Sequence, residues 1–346
     1  MSLARAGTAL ICRLDSDGDV LLSGPAVRAA AASADRVVLL CGPRGAAAAK
    51  LLPGVDEVLV WHCPWIDTAP LPVDPAGVDA FVGRLRGLVV DRALVLTSFH
   101  QSPLPMALLL RLAGVPWVGA ISEDYAGSLL DVRHRLPETG LHEVERMLSL
   151  AAAAGWALPA GDGGALALRR PLPDTRALTG PGRYVVVHPG ASVPSRAPDP
   201  GWAHDLVSRL AGGGHRVLVT GGPGERALTA AVAGRAGVDL GGSTELAGLA
   251  DVLDRADAVV VGNTGPAHLA AAVGTPVVSL FAPVVPAERW RPWQVPHLLL
   301  GDQQAACARS RARDCPVPGH PCLTTVPLDT VATAIRSLSR EVVTVG

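Results

Sequence analysis

Short apolar runs of strand length alternate with Ala- and Leu-rich runs of helical length along the whole chain, and that alternation leaves few architectures open. Strand-like text falls at 9–14, 36–41, 57–61, 93–97 and 116–120, then again at 184–188, 216–220, 237–240, 258–261 and 276–281. Strands separated by helices pair in parallel, because each crossover returns the chain to the same end of the sheet. Around 158–181 the text turns Gly- and Pro-rich (PAGDGGALALRRPLPDTRALTGPG), the composition of a linker. A chain of 346 residues is long enough for two α/β domains, each with its own core. The expectation is an α/β protein with a Rossmann-like N-terminal domain over 1–170 and a Rossmann-like C-terminal domain over 171–327. A last helix, roughly 328–339 within 328–346, follows an irregular Cys/Pro segment and is expected to pack back on the N-terminal domain.

Composition narrows the function classes. The chain is 49% hydrophobic, and its formal net charge is −1, so no global basic field recruits nucleic acid. Only Lys50 among the 30 basic residues is lysine, which leaves phosphate recognition to arginine, hydroxyls and backbone N–H groups. The first apolar strand lacks the basic flank, long apolar core and cleavage site of a secretory signal, and no window approaches a membrane span. These features place the protein in the cytoplasm, with peripheral contact with the inner membrane face left open. Cys12, Cys41, Cys63, Cys307, Cys315 and Cys322 are then expected as thiols. The last three, with His320, lack the close C-x-x-C pairing of structural zinc sites, so no metal is assigned.

In parallel sheets ligands gather at the carboxyl ends of strands, and every informative motif here sits at such an end. After strand 258–261 comes Gly262-Asn263-Thr264-Gly265-Pro266, and Pro266 opens an Ala-rich helix containing His268. Glycine admits a ligand close to the backbone, Thr264 adds a hydroxyl, and the helix N-terminus offers partial positive charge, together a cradle for a nucleotide diphosphate. Alone, the same text is an ordinary strand-to-helix turn. Strand 184–188 leads into Pro189-Gly190-Ala191-Ser192, with Arg196 and Trp202 beyond, and strand 216–220 leads into Gly221-Gly222-Pro223-Gly224-Glu225. Arg196 suits a diphosphate oxygen and Glu225 a ribose hydroxyl; a solvated arginine and a helix-favouring acid are the plain alternatives. The first strand ends in Arg13-Leu14-Asp15-Ser16-Asp17-Gly18-Asp19, with no G-x-G-x-x-G, so a dinucleotide pyrophosphate finds no cradle there. Asp15-Ser16-Asp17 reads as an exposed turn capping the next helix, with a metal-binding carboxylate pair as the alternative. Asp19, after Gly18 at the helix start, is the candidate general base, with helix capping as its alternative role.

These motifs together resemble glycosyltransferase family 9, the ADP-heptose:lipopolysaccharide heptosyltransferase family. The likeness rests on HPGAS with its following Arg and Trp, VLVTGGPGE, LGGSTELAGLADVLDRADAVVVGNTGPAHLAAAVGTPVVSLFAP and RWRPW in the second half. RLDSDGDVLLSGPAVRA and the HEVE segment at His142 carry it in the first. The resemblance implies a GT-B fold, two Rossmann-like domains facing an interdomain cleft, the first holding the acceptor and the second the nucleotide sugar. It implies an inverting transfer, most simply of heptose from ADP-heptose to a glycolipid or small glycan, with no cofactor. Asp19 matches the family's proposed base; Ser192, Arg196, Gly222, Glu225, Asn263, Thr264, Gly265, Pro266 and His268 match donor-binding positions. Asn263 stands where many members have Asp, which removes a charge near the donor. A non-hydrolysing nucleotide-sugar epimerase and a non-catalytic nucleotide-sugar-binding relative are the competing readings.

Overall fold

The computed structural model describes residues 6–136 and 140–343. They form two compact units that divide between Leu168 and Arg169, inside the Gly/Pro-rich stretch.

In the first unit, β1 (Ala6–Arg13), β2 (Ala34–Cys41), β3 (Glu57–Val60), β4 (Arg92–Val95), β5 (Trp117–Ile121) and β6 (Val132–His134) pair in parallel in the order β3-β2-β1-β4-β5-β6. Alternate residues serve opposite faces. Leu10, Cys12, Val38, Leu40 and Val95 join Phe81, Leu85 and Met106 from two helices in one core. Ile11 and Leu39 are likewise fully buried, as is most of the helix Gly24–Ala31, which packs on β1, β2 and the helix Glu143–Ala153. Trp61 stacks on Phe81, ring centroids 4.0 Å apart, and seals the end of β3.

The second unit repeats the plan. β7 (Val185–His188), β8 (Val217–Val219), β9 (Val238–Asp239), β10 (Ala258–Gly262), β11 (Val277–Leu280) and β12 (His297–Leu300) pair in parallel in the order β12-β11-β10-β7-β8-β9. Counted within the unit, this is the same order as in the first sheet. The helix Leu328–Val343, expected to pack back on the N-terminal domain, has its apolar stripe in the core of the second unit. Val331, Ile335 and Leu338, at helical spacing, join Leu206, Leu210, Val278 and Leu280 there.

All ten strands expected from the sequence are present, and β6 and β12 are additional. Both are edge strands of three or four residues and only partly buried, so neither needs the continuous apolar run that marks an interior strand. The Gly/Pro-rich stretch lacks helix or strand from 157 to 173 but is pinned by side chains. Within the first unit Arg28 grips Asp162 through Nε and Nη2, at 2.6 and 2.9 Å, and donates to the Ala165 carbonyl. Within the second, Arg170 grips Asp254, and Asp251 accepts from the backbone and hydroxyl of Thr175.

Candidate functional site

Each sheet reverses its strand order once: between β1 and β4 in the first unit, and between β10 and β7 in the second. Loops leaving those neighbouring strands diverge to opposite sides and open a crevice at their carboxyl ends.

At the first crevice the organiser is Arg13, the last residue of β1 and completely buried. Its Nη2 donates to Asp19 Oδ1 and to Ser98 Oγ, both at 3.0 Å, and its Nε lies 3.1 Å from Asp15 Oδ2. Nη1 faces Glu143 Oε2 at 3.9 Å, while the other Glu143 oxygen accepts from Arg146 at 2.7 Å. Burial alone would lower the Arg13 pKa, but Asp15, Asp19 and Glu143 raise it, so the guanidinium stays charged. Asp15 is half-buried and its Oδ1 accepts from the Gln101 amide at 2.5 Å. Burial pushes its carboxyl up to about 6 against the pull of Arg13.

Asp19 lies in the first turn of the helix Asp17–Leu22. Its second oxygen accepts from Ser16 Oγ at 2.9 Å, and its side chain is 24% exposed. The N-cap residue of this helix, Ser16, makes no side-chain cap bond to it. Asp15 and Asp17 are not an exposed turn: Asp17 accepts from the Ala48 N–H in the helix Ala46–Leu51. In the HEVE segment, His142 and Glu145 form the capping box of the helix Glu143–Ala153, and Glu143 is the carboxylate facing Arg13.

Arg13, Ser98, Gln101 and Glu143 escaped the sequence reading as parts of this site. A charged residue closing an otherwise apolar interior strand was the available signal for Arg13, since an arginine there must bring its own partners. The other three lie far away in sequence: the β1–β4 pairing brings Ser98 and Gln101 near, and packing of the helix Glu143–Ala153 on the helix Gly24–Ala31 brings Glu143.

At the second crevice two glycines set the spacing. A Cβ on Gly190 would overlap the Glu225 carboxylate, and one on Gly262 would overlap the Arg196 carbonyl. The loop after β7 therefore touches the loop after β8 through Glu225 and the loop after β10 through Arg196. Glu225 also accepts from Gly222 N–H at 2.7 Å. Behind it, His188 shares a 3.0 Å hydrogen bond with Thr220, and burial drives its imidazole down to about 4 although Glu225 opposes the shift, so it is neutral at pH 7. Thr264 is the extended residue before the helix Gly265–Val273, and Thr264, Gly265 and Pro266 are half-buried at the crevice end of β10. Arg196 is half-buried and Ser192 exposed on the loop after β7. A cleft of about 550 Å³ opens beside these loops, lined by Gly190, Ala191, Glu225, Leu228, Cys315 and His320 among others.

Two of the donor-binding candidates turn inward. Asn263 is buried and clamps Ala282 at both backbone groups, accepting from its N–H at 3.1 Å and donating to its carbonyl at 3.3 Å. Both ends of its amide bond to the chain, which makes Asn263 a brace beneath the turn. His268 is buried in the first turn of its helix. Trp202 is structural as well, its indole N–H bonded to the Val326 carbonyl.

Comparison with known proteins places this geometry. The family model of glycosyltransferase family 9 (heptosyltransferase) matches residues 79–320. Lipopolysaccharide heptosyltransferase 3 of Escherichia coli is 32% identical over 116 residues, a match covering 32% of this chain and about a third (34%) of that protein. Among solved structures, a family 9 glycosyl transferase from Veillonella parvula superposes with a TM-score of 0.79 at 15% identity, covering 99% of both chains. The Escherichia coli heptosyltransferase WaaC with ADP-2-deoxy-2-fluoro heptose superposes with a TM-score of 0.68 at 21% identity, covering 95% of this chain and 99% of that one. The two parallel six-stranded sheets match the GT-B fold of these heptosyltransferases. The match over residues 79–320 makes the chain a member of glycosyltransferase family 9, the heptosyltransferase family.

Proposed function

We propose that the protein transfers a sugar, heptose in the first instance, from an ADP-sugar to a hydroxyl of a glycolipid or other glycan, with inversion at the anomeric carbon. The observation that carries this reading is the Asp19 carboxylate, held by Arg13 and Ser16 at the strand reversal of the first sheet yet open to solvent. The acceptor hydroxyl gives its proton to Asp19 as its oxygen attacks the anomeric carbon. The bond from that carbon to the diphosphate breaks, and the leaving ADP takes the electron pair. A single displacement inverts the centre. The negative charge that develops on the diphosphate is met by Arg196, Thr264 and the N-terminus of the helix Gly265–Val273, while Glu225 accepts from the ribose. Ser192 and Gly222 complete the donor surface, with Asn263 and His268 supporting it from beneath. A relative bound to an ADP-heptose analogue supports ADP as the nucleotide. No helix among the described residues is long and apolar enough to cross a membrane; a glycolipid acceptor would be met at the inner membrane face from the cytoplasm.

Calorimetry with ADP, UDP, GDP and dTDP tests the donor, and tighter binding of UDP than ADP would overturn that assignment. Transfer from ADP-heptose to candidate acceptors, with the anomeric configuration of the product read by NMR, tests the reaction. Asp19→Asn keeps the size of the side chain but not its basicity, and kcat is expected to fall on the order of 10²-fold or more with ADP affinity unchanged. Wild-type turnover in that variant would remove Asp19 from the mechanism.

A further inference from the structure

Arg13 does not form a simple pair with Asp19. Three carboxylates from three places in the chain surround one guanidinium: Asp15 in the loop after β1, Asp19 in the following helix and Glu143 at the start of the helix Glu143–Ala153. Asp15 has a second anchor in Gln101 and Glu143 has one in Arg146. Asp19 has the Ser16 hydroxyl beside its bond from Arg13 Nη2, and that same nitrogen also donates to Ser98. A carboxylate gripped by both teeth of an arginine fork is a poor proton acceptor, because the pair favours its ionised form. Here Asp15 occupies the Nε side and Ser98 shares Nη2.

Resting on the assignment of Asp19 as base, we propose that Arg13, Asp15 and Ser98 are positioning residues. Arg13 fixes the direction of the Asp19 carboxylate, and Asp15 with Ser98 restrains the arginine so that Asp19 keeps its basicity. Among the described residues, Asp15 faces the charges of Arg13 from β1, Asp19 from the following helix and Glu143 from the helix Glu143–Ala153, and Arg146 holds Glu143 in turn. Cys63, after β3, faces Asp15 as a neutral thiol, since burial pushes it up to about 12. The Asp15 carboxyl, shifted to about 6, changes charge close to neutrality, so the restraint on Arg13 varies across the working range.

The test is carbon-13 NMR of the side-chain carboxyl groups in the full chain labelled at aspartate, with Asp19 assigned by its loss in Asp19→Asn. In Asp15→Asn the amide still accepts from Gln101 but turns an N–H toward Arg13 Nε, freeing the guanidinium for Asp19. The Asp19 titration is expected to move to lower pH, the acid limb of kcat/KM to move with it, and plateau kcat to fall severalfold with ADP affinity unchanged. Ser98→Ala, a smaller change at a buried hydroxyl, should move the midpoint in the same direction and serves if Asp15→Asn fails to fold. A purely structural role would lower the melting temperature and leave the Asp19 midpoint where it is in wild type; that result overturns the proposal. If wild-type protein transfers no sugar but the Asp19 titration responds to Asp15, the coupling stands and the functional reading fails. If it transfers sugar while the Asp19 titration ignores Asp15, the functional reading stands and the coupling is overturned.

Discussion

Asn263→Asp replaces one NH₂ by one oxygen at the brace beneath the turn after β10. Asparagine holds Ala282 at both backbone groups, and the residue is only 5% exposed. An ionised aspartate can still accept from the Ala282 N–H, but its other oxygen faces the Ala282 carbonyl and repels it. Losing one hydrogen bond costs about 1 kcal/mol, and leaving a buried carbonyl unsatisfied costs about 1–3 kcal/mol more. The expected loss at pH 7.5 is therefore about 2–4 kcal/mol. At about 2–4 °C per kcal/mol for a unit of this size, thermal melting of the full chain should show its second-unit transition lowered by roughly 5–15 °C. The carboxyl is more easily ionised in the unfolded chain than in this buried place, so its folded pKa is raised. Stability is then fullest below the unfolded pKa and is lost as pH rises through the folded one. A protonated aspartic acid can donate to Ala282 as the amide does, so the deficit should shrink at pH 5. A deficit below about 1 kcal/mol at pH 7.5, a deficit independent of pH, or tighter ADP binding in the variant would refute the brace and return residue 263 to the donor.

Arg196→Ala should weaken ADP binding by about 1.5–3 kcal/mol if the guanidinium bonds the diphosphate; unchanged affinity by calorimetry in folded protein excludes that contact. Gly262→Ala places a methyl group against the backbone carbonyl of Arg196, so both the melting temperature and ADP affinity should fall, whereas a neutral result would mean the two loops part readily. For Asp15 the folded pKa of about 6 lies above the ordinary aspartate value of 3.8, so its contribution is fully present below pH 4 and is lost as pH rises through 6. Wild type should thus gain on Asp15→Asn when pH is lowered from 7 to 4, by up to about 3 kcal/mol in chemical denaturation; a difference that stays flat over that window contradicts the shift.

The interior strands were legible because a strand covered on both faces has little choice but a run of Val, Ile, Leu and Ala. Edge strands are held to that constraint less strictly: β3 and β9 lie at sheet edges and still read as strands, whereas β6 and β12 carried no usable pattern. The close contacts among the loops after β7, β8 and β10 were legible for a related reason: Gly190, Gly222 and Gly262 stand where backbones or carboxylates come close, and glycine is a visible mark of such approach. What stayed hidden was the set of contacts made across long stretches of chain. Gln101 meets Asp15 across 86 residues of sequence, and Glu143 lies still farther from Arg13. The direction of an individual side chain was equally hidden, and Asn263 shows it: its place in the turn was clear, its commitment to Ala282 was not.

The shared strand order gives both halves of the chain a crevice at the same topological address, between the first and fourth strands of each unit. The occupants are chemical opposites. One crevice holds carboxylates around a buried cation, the groups proposed to exchange a proton; the other pairs glycine backbone with a helix end and an arginine, the groups proposed to capture an anion. A scaffold that tolerates either kind of loop at one address sets only the position where chemistry can happen. Its sign is written in a handful of residues after β1, β7 and β10, so redesign confined to those loops should change what each crevice binds while leaving both sheets intact.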